Sequence, residues 1–557
     1  MLEILIASLF SSVIILGFGY LFSNLFYSKK YVSKLFISEI SIYGIIFLSF
    51  VSLILNFFFP INKIIGTIIV IISIISIIIN QGYKHYIFLF VTSLITFLLI
   101  FYSNVNRPDA GLYHLPVISM INESKILIGS ANIHFRFGHS SIVQYLSSIY
   151  NNYFFNLSFI TFPIGSIFSF FIFYVLQKTN KSIKHNKTNA VFLFLICIFS
   201  IYSFNRYSSY GNDAVSHIFY FILVIKILTI DSIKKIKFDD FISILIITIF
   251  LFSTKLFMTL AFFIPLMLFF FIKDRMKLIF SKQFFICSIF LFSWIIKSLL
   301  ISGCVFYPLE ISCFKSLKYY EPNKTNIEVS AGEAWSKDWP NQQGKKLDYK
   351  EYNKKFNWLK TWTSNHLKII LEKIIPFIIF LLILFLILIK MKKDNYEDQK
   401  KVKNKRIFYI LLFSIFFGIV WFIKFPLYRY GFSFLACILM CIFCLLFEKI
   451  FIRISHENLK KKFYLVITIG FLAFFSKNLV RINHKLVDNT LSPWPDIYSE
   501  TGNFKQNNFT KISKDGNFLY YFASGKLCMY SKSPCSTYII ENLYIKKING
   551  YMVYWIK

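Results

Sequence analysis

The feature that most constrains this chain is a series of apolar runs, most of them about 17 to 23 residues long, the length that carries an α-helix across a bilayer core. "LEILIASLFSSVIILGFGYLF" near the start and "IIPFIIFLLILFLILI" farther on are two of them. In hydrocarbon every backbone N–H and C=O must be paired within the protein, so these runs are helices. Across 557 residues, 56% are hydrophobic and 20% aromatic, far more apolar surface than a water-soluble fold of this size would cover. The sequence therefore predicts an all-α polytopic membrane protein.

Fourteen spans are expected, at 4–27, 37–59, 61–80, 86–103, 154–177, 189–204, 214–230, 240–254, 256–272, 283–301, 373–391, 407–423, 431–448 and 462–476. The first run is too long for the core of a cleavable signal and reads as a span. Lysine-rich connections such as "YSKKYVSK", "QKTNKSIKHNK", "IKDRMKLIFSK" and "KMKKDNYEDQKKVKNKR" all fall on one side. That side is assigned to the cytoplasm by the positive-inside rule. Both termini are then extracytoplasmic, as are three large pieces: 104–153, 302–372 and the tail from 477. The formal net charge of +34 is dispersed over these connections, which argues against nucleic acid as a partner. The expected organisation is N-terminal helices 1–85, a core 86–476 and an outer region 477–557. In that last region "NFLYYFA", "STYII" and "YMVYWI" alternate with turn residues and predict a small α/β or β-rich cap.

Cysteine placement bears on the same topology. Cys197, Cys287, Cys437, Cys441 and Cys444 fall within spans and read as buried thiols. Cys304/Cys313 and Cys528/Cys535 are two close pairs in predicted outer segments, which suggests two small disulfide loops; four free thiols is the alternative. No CxxC pair or HExxH motif points to a metal site.

Ionisable residues at the outer ends of spans carry the chemical information. "NRPDAGLYHLP" (106–116) places Arg107, Asp109 and His114 where the fourth span ends. A short carboxylate between Pro108 and Gly111 cannot snorkel far, so Asp109 reads as functional, with His114 beside it. The following 117–150 predicts one or two short helices on the outer membrane surface, carrying Glu123, His134, Arg136 and His139. Arg206 and Asp213 flank the serine- and tyrosine-rich turn in "SFNRYSSYGNDAVSH"; Lys255 interrupts an apolar hairpin; Lys424 and Arg429 stand in "KFPLYRYG". Lys297 lies near the end of the tenth span. A single Lys or Arg at a helix end is commonly an interfacial snorkelling residue. Trp and Tyr in the 302–372 segment suit sugar stacking and interface anchoring equally. The long spans themselves are almost free of charge, which argues against ion-coupled transport.

A multipass chain with an aspartate in its first large outer loop, followed by a surface helix, resembles the GT-C class of membrane glycosyltransferases. Asp109 matches the class's loop aspartate. A finer pattern resembles a bacterial multipass family related to that class: "PDAGLYHLP", "SANIHFRFGHSS", "STKL", "LISGCVFYPLEISCF", "FPLYRYG" and "KLCMYSKSPCSTY", spread over about residues 100 to 557. The resemblance implies a GT-C-like fold in the bacterial cytoplasmic (inner) membrane, with the site on the outer face. It implies a hexosyl- or pentosyltransferase that takes sugar from a polyprenyl-phosphate carrier to a glycan, lipid or protein acceptor during cell-surface glycan assembly. Asp109 would be the base, with His114 and Asp213 orienting the acceptor or a metal. Arg136, Arg206, Lys255 and Arg429 would bind substrate. Some members of the class use a divalent cation; two carboxylates would suit one, and no spacing demands it. The alternative is a polysaccharide polymerase or flippase-type glycan-assembly protein.

Overall fold

A computed structural model describes residues 1–103, 106–205, 207, 210–230, 236–344, 346–390, 405–488, 492–499, 509–524 and 527–557. Each of the fourteen apolar segments is helical over most of its length. Among the described residues nine helices are long and apolar enough to cross a membrane: Leu2–Phe26, Ile37–Phe58, Gly82–Ile100, Leu157–His185, Lys282–Ser302, Leu359–Ile389, Lys405–Lys424, Tyr428–Arg453 and His456–Val487. Lys63–Ile79, Lys187–Ser203 and Leu256–Phe269 are apolar but shorter, and Asp213–Thr229 and Phe238–Thr254 have 17 residues each. A helix of 17 residues reaches about 25 Å at 1.5 Å per residue, short of a 30 Å hydrocarbon core. Length and composition thus support nine spans, fewer than the fourteen expected.

The first helices pack through small residues rather than bulky ones. A Cβ on Gly44 would stand 2.0 Å from the Ile15 carbonyl oxygen, and one on Gly17 would stand 2.2 Å from Ser73 Oγ. Backbones this close exclude any larger side chain, the usual packing where lipid removes the hydrophobic drive. Hydroxyls then bond across the seams: Ser76 to the Gly17 carbonyl at 2.7 Å, Ser11 with Ser166 at 2.7 Å, and Thr96 with Ser169 at 2.9 Å. One contiguous apolar core runs from Ile4 to Tyr554, so the N-terminal helices share it with the rest.

The expectation of spans almost free of charge is corrected at the end of the bundle opposite the three large inserted segments. Glu39 is buried and pairs with Lys226 and with Lys178, the latter at 3.1 Å. The three come from helices Ile37–Phe58, Asp213–Thr229 and Leu157–His185. Such a buried group persists because its charges compensate one another; removing Glu39 would leave two lysines without their carboxylate, at about 3–5 kcal/mol.

The expectation for 117–150 is also corrected: its two α-helices are buried rather than laid on a membrane surface. Leu115–Glu123 is buried from Leu115 to Asn122, and Ile142–Ser148 throughout. The predicted amphipathic face has no solvent side because both flanks are covered. Ser52 bonds to Ser148 at 3.0 Å from one side. From the other, the tail contacts Ser119 through the Ser531 carbonyl and Asn122 through the Tyr530 hydroxyl at 3.2 Å.

The last helix, His456–Asp488, runs through the boundary expected at 477. Arg481 holds it there: its guanidinium donates to the carbonyls of Leu98 and Phe101 at 2.7 Å, filling acceptors left open where Tyr86–Ile100 ends. Beyond it lie a three-stranded sheet and a hairpin. Phe509–Lys514 pairs antiparallel with Asn517–Ala523, which pairs parallel with Cys535–Ser536; Leu543–Ile548 pairs with Tyr551–Ile556. The hairpin is stitched to the first inserted segment: Tyr554 N–H donates to the Ile128 carbonyl at 2.9 Å, and Ile128 N–H to the Met552 carbonyl at 3.0 Å.

Candidate functional site

Pro116 begins the assembly of the site. It has no N–H to offer Leu112, so the helical ladder opens into a single π-type turn, Ala110–His114, before regular helix Leu115–Glu123 begins. The tail pins this turn, with the Met529 N–H donating to the Gly111 carbonyl at 3.0 Å. Asp109 precedes the turn and faces a cavity of about 1570 Å3. That volume exceeds the range of about 300–1,000 Å3 usual for sites of drug-sized ligands.

Three other helix ends deliver charges to the same cavity. Asp213 is the first residue of Asp213–Thr229, where a carboxylate favours the helix dipole. Lys255 follows the last residue of Phe238–Thr254, and Arg429 stands in the first turn of Tyr428–Arg453. Arg136 comes from the short helical piece Phe135–His139.

These five side chains form one continuous network. Arg136 Nη1 is 2.6 Å from Asp109 Oδ1, and Arg429 Nη1 is 3.2 Å from Asp109 Oδ2. The same guanidinium reaches Asp213 Oδ2 through Nε at 4.0 Å, and Asp213 Oδ1 is paired with Lys255. Aromatic rings flank the cations: Lys255 Nζ is 3.5 Å from the centre of the Tyr430 ring, and Arg136 lies 5.4 Å from that of Tyr113. Arg429 Nη2 donates to the Tyr430 hydroxyl at 2.9 Å. His217 joins two of the helices, its ring nitrogens bonded to Ser433 Oγ at 2.6 Å and to the Arg429 carbonyl at 2.8 Å.

His114 lines the cavity as a neutral ring. Burial lowers its pKa to about 4, while the charges of Asp109 and Asp213 pull the other way. Its tautomer follows from its neighbours. Gln144 Oε1 accepts from the Ser141 N–H at 2.7 Å, so the Gln144 amide NH2 donates to His114 Nδ1 at 3.1 Å. The ring proton therefore sits on Nε2, on the side of Gly211.

Asp109, His114, Arg136, Asp213, Lys255 and Arg429 thus line one cavity. Arg206 lies outside the described residues. The carboxylates do not present a divalent-cation site. Arg429 stands between them, both Asp109 oxygens accept from arginines, and no group of three or more His, Cys, Asp or Glu gathers among the described residues. The residues present do not fit such an ion, and no step is derived through one.

The middle segment supplies residues that charge patterning at span ends did not single out. Helix Pro322–Ser336 contributes Glu328, Glu333 and Trp335 to the cavity wall. Glu333 is held by Lys337 at 2.6 Å and Lys424 at 3.1 Å. Glu328 has no ion pair among the described residues, and burial raises its carboxyl to about 7 against the pull of Lys324 and Arg136. A carboxylate on a polar helix looks solvated in sequence, and only the cavity distinguishes it. The tryptophans divide: Trp335 is 57% exposed on the cavity, whereas Trp358 and Trp362 are core residues packed on Phe422. Cys304–Cys313 and Cys528–Cys535 are disulfides, and the five cysteines within helices are free and buried.

A family model described as a domain of unknown function, DUF8201, matches residues 1–436, and the chain belongs to that family. No curated protein and no solved structure matches it.

Proposed function

We propose that this chain is a membrane glycosyltransferase of GT-C type that takes a sugar from a polyprenyl-phosphate carrier and attaches it to an acceptor hydroxyl at the extracytoplasmic face. The observation that carries this reading is the network Arg136–Asp109–Arg429–Asp213–Lys255, gathered from four separate parts of the chain onto one large cavity at a single end of an apolar helix bundle. Positive-inside placement of the lysine-rich connections at the opposite end puts the cavity outside the cytoplasm. Lipid-linked sugars are the donor chemistry suited to that side. The cavity has room for a sugar phosphate together with an acceptor.

In this reading the acceptor oxygen attacks the anomeric carbon. The bond from that carbon to the phosphate oxygen breaks, and its electron pair leaves with the lipid phosphate. Asp109 takes the acceptor's proton through a lone pair not already engaged by the arginines. Arg136 and Arg429 fix that carboxylate, and the cationic wall meets the negative charge that builds on the leaving group. His114 offers its Nε2–H to orient the acceptor. The exposed face of Trp335 is suited to stack on a pyranose ring. Fourteen membrane crossings remain part of the proposal, with the shorter helices crossing where the protein interior replaces lipid.

The test uses purified protein in nanodiscs with a polyprenyl-phosphate donor carrying labelled sugar and membrane extract as acceptor source. Wild type is expected to transfer label, and Asp109→Asn, shown by thermal unfolding to be folded, to lose at least about 100-fold, the size of effect of removing one catalytic proton-transfer group. Full transfer by Asp109→Asn would sink the assignment of the base. No transfer by wild type, with donor instead moved across the bilayer, would favour the flippase-type reading.

A further inference from the structure

Four of the cations on the cavity wall have counter-charges among the described residues. Arg136 is held by Asp109, Lys255 by Asp213, Arg429 by both, and Lys424 by Glu333. Lys297 differs. It lies on the inward face of helix Lys282–Ser302, only 1% exposed, and among the described residues no carboxylate pairs with it. Its ammonium donates to the Ser140 carbonyl at 3.3 Å and rests 3.8 Å from the centre of the Trp294 ring. An ammonium carries three donors, so one hydrogen bond and one aromatic face leave it under-solvated.

A second observation falls at the same place. The hydroxyl of Ser140 is buried and has no hydrogen-bond partner among the described residues. Both residues line the cavity, together with His139 and Ser298. An unneutralised charge and an unused donor, side by side in a membrane protein's interior, carry a large desolvation penalty. They are accounted for when a ligand of opposite charge completes them.

We propose that Lys297 and Ser140 form an anion site for a phosphate-type group and that, resting on the transferase reading above, this group is the phosphate of the lipid-linked donor. Position favours a lipid as its source. Lys297 sits about 8 Å from the end of its helix, at 1.5 Å per residue. The opposite face of that helix is exposed and apolar through Phe285, Ile289, Phe292 and Ile296. The donor's sugar would then extend from Lys297 toward Asp109 and Arg429, which already pair with each other.

The experiment measures thermal unfolding and binding of the full chain in nanodiscs, with farnesyl phosphate and, separately, inorganic pyrophosphate as probes. Farnesyl phosphate should bind wild type and raise its melting temperature. Lys297→Met should unfold at the wild-type temperature or above it without ligand, because an uncompensated charge has been removed. It should bind farnesyl phosphate roughly 10- to 100-fold more weakly, the worth of a charge-assisted hydrogen bond. Ser140→Ala should weaken binding by a smaller factor, and Lys297→Arg should retain part of it. Equal binding by Lys297→Met and wild type would overturn the site. So would a Lys297→Met variant that melts well below wild type yet keeps its ligand shift, which is the mark of a structural lysine. Pyrophosphate binding with the same dependence, and no gain from the prenyl chain, keeps the anion site and overturns the lipid source. Sugar transfer by Lys297→Met at unaltered donor KM overturns the site and leaves the transferase reading intact. Binding at Lys297 without transfer by wild type does the reverse.

Discussion

Arg429 touches two carboxylates that are far apart in sequence, so its guanidinium sets the spacing between Asp109 and Asp213. The charge around that centre depends on Glu328, whose carboxyl is raised to about 7. Below that pH it is neutral, and above it the cavity gains a negative charge. Affinity for an anionic phosphodiester donor, whose own charge is constant, is therefore expected to weaken as pH rises through 7. The change is about threefold for one screened charge across a wet cavity, and Glu328→Gln should reduce it. A pH series of donor binding to both proteins checks this. His114 sets a second dependence. Its folded pKa, about 4, lies below the ordinary 6.5, so between these values the unfolded chain binds more protons. Stability is fully present above about 6.5 and is lost as pH falls toward 4, by about 3 kcal/mol from this ring. His134, lowered to about 3 by burial and the Arg136 charge, adds in the same direction. Thermal unfolding at pH 7, 5.5 and 4.5 reads the trend, and His114→Gln should lessen it. Asp109, Asp213, Lys255 and Arg429 were visible in sequence as ionisable residues at the outer ends of spans, and Arg136 as a charge in the segment after the fourth span; that they meet in one cavity is a property of the packing. Glu328 did not stand out, because a carboxylate on a polar helix is unremarkable until its neighbours are known. Lys297 was visible as a charge, but its want of a partner is a property of the packing.

At the scale of elements, periodicity identified the helices and missed what covers them. Segment 117–150 reads as amphipathic, and one or two surface helices are the natural inference. Its polar side is instead bonded to the tail, some 400 positions away, through Ser531 and Tyr530. The pairing of Glu39 with Lys178 and Lys226 was hidden for the same reason, since each residue alone resembles an interfacial charge. Trp358 and Trp362 read as anchors or sugar platforms and are core residues, because the Trp362 indole N–H finds the Pro426 carbonyl at 2.7 Å. The tail's grip on the turn before His114 gives a direct prediction. Cys528–Cys535 closes a short loop that presents Met529 to Gly111. Cys535→Ser should reduce stability by about 2–3 kcal/mol, as loop-closure entropy for a loop this short implies, and lower sugar transfer through looser placement of Asp109. Unfolding and transfer measured together check both, and loss of stability at full activity would detach the tail from the site.

Across the whole molecule, the chain is a helix bundle with charged groups at both ends, the Glu39–Lys178–Lys226 cluster at one and the Asp109–Arg429–Asp213 network at the other. The end opposite the cavity carries the lysine-rich connections, and the other carries the inserted segments and the sheets. The topology is open to a labelling test. A cysteine at exposed Lys360, in the middle inserted segment, should react with a membrane-impermeant thiol reagent in intact cells. One at exposed Lys277, at the opposite end, should react only after the cells are opened. The reverse pattern would invert the membrane orientation and leave the cavity without a lipid-linked sugar donor of the proposed kind. Whether a lipid-linked sugar reacts in the cavity is decided by a cryo-electron microscopy map of the protein in nanodiscs with a non-transferable polyprenyl-phosphate sugar. Density for the phosphate at Lys297 and Ser140, with the sugar against Asp109 and Arg429, is expected; donor density outside the cavity, or at the Glu39–Lys226 end, would overturn the transferase site.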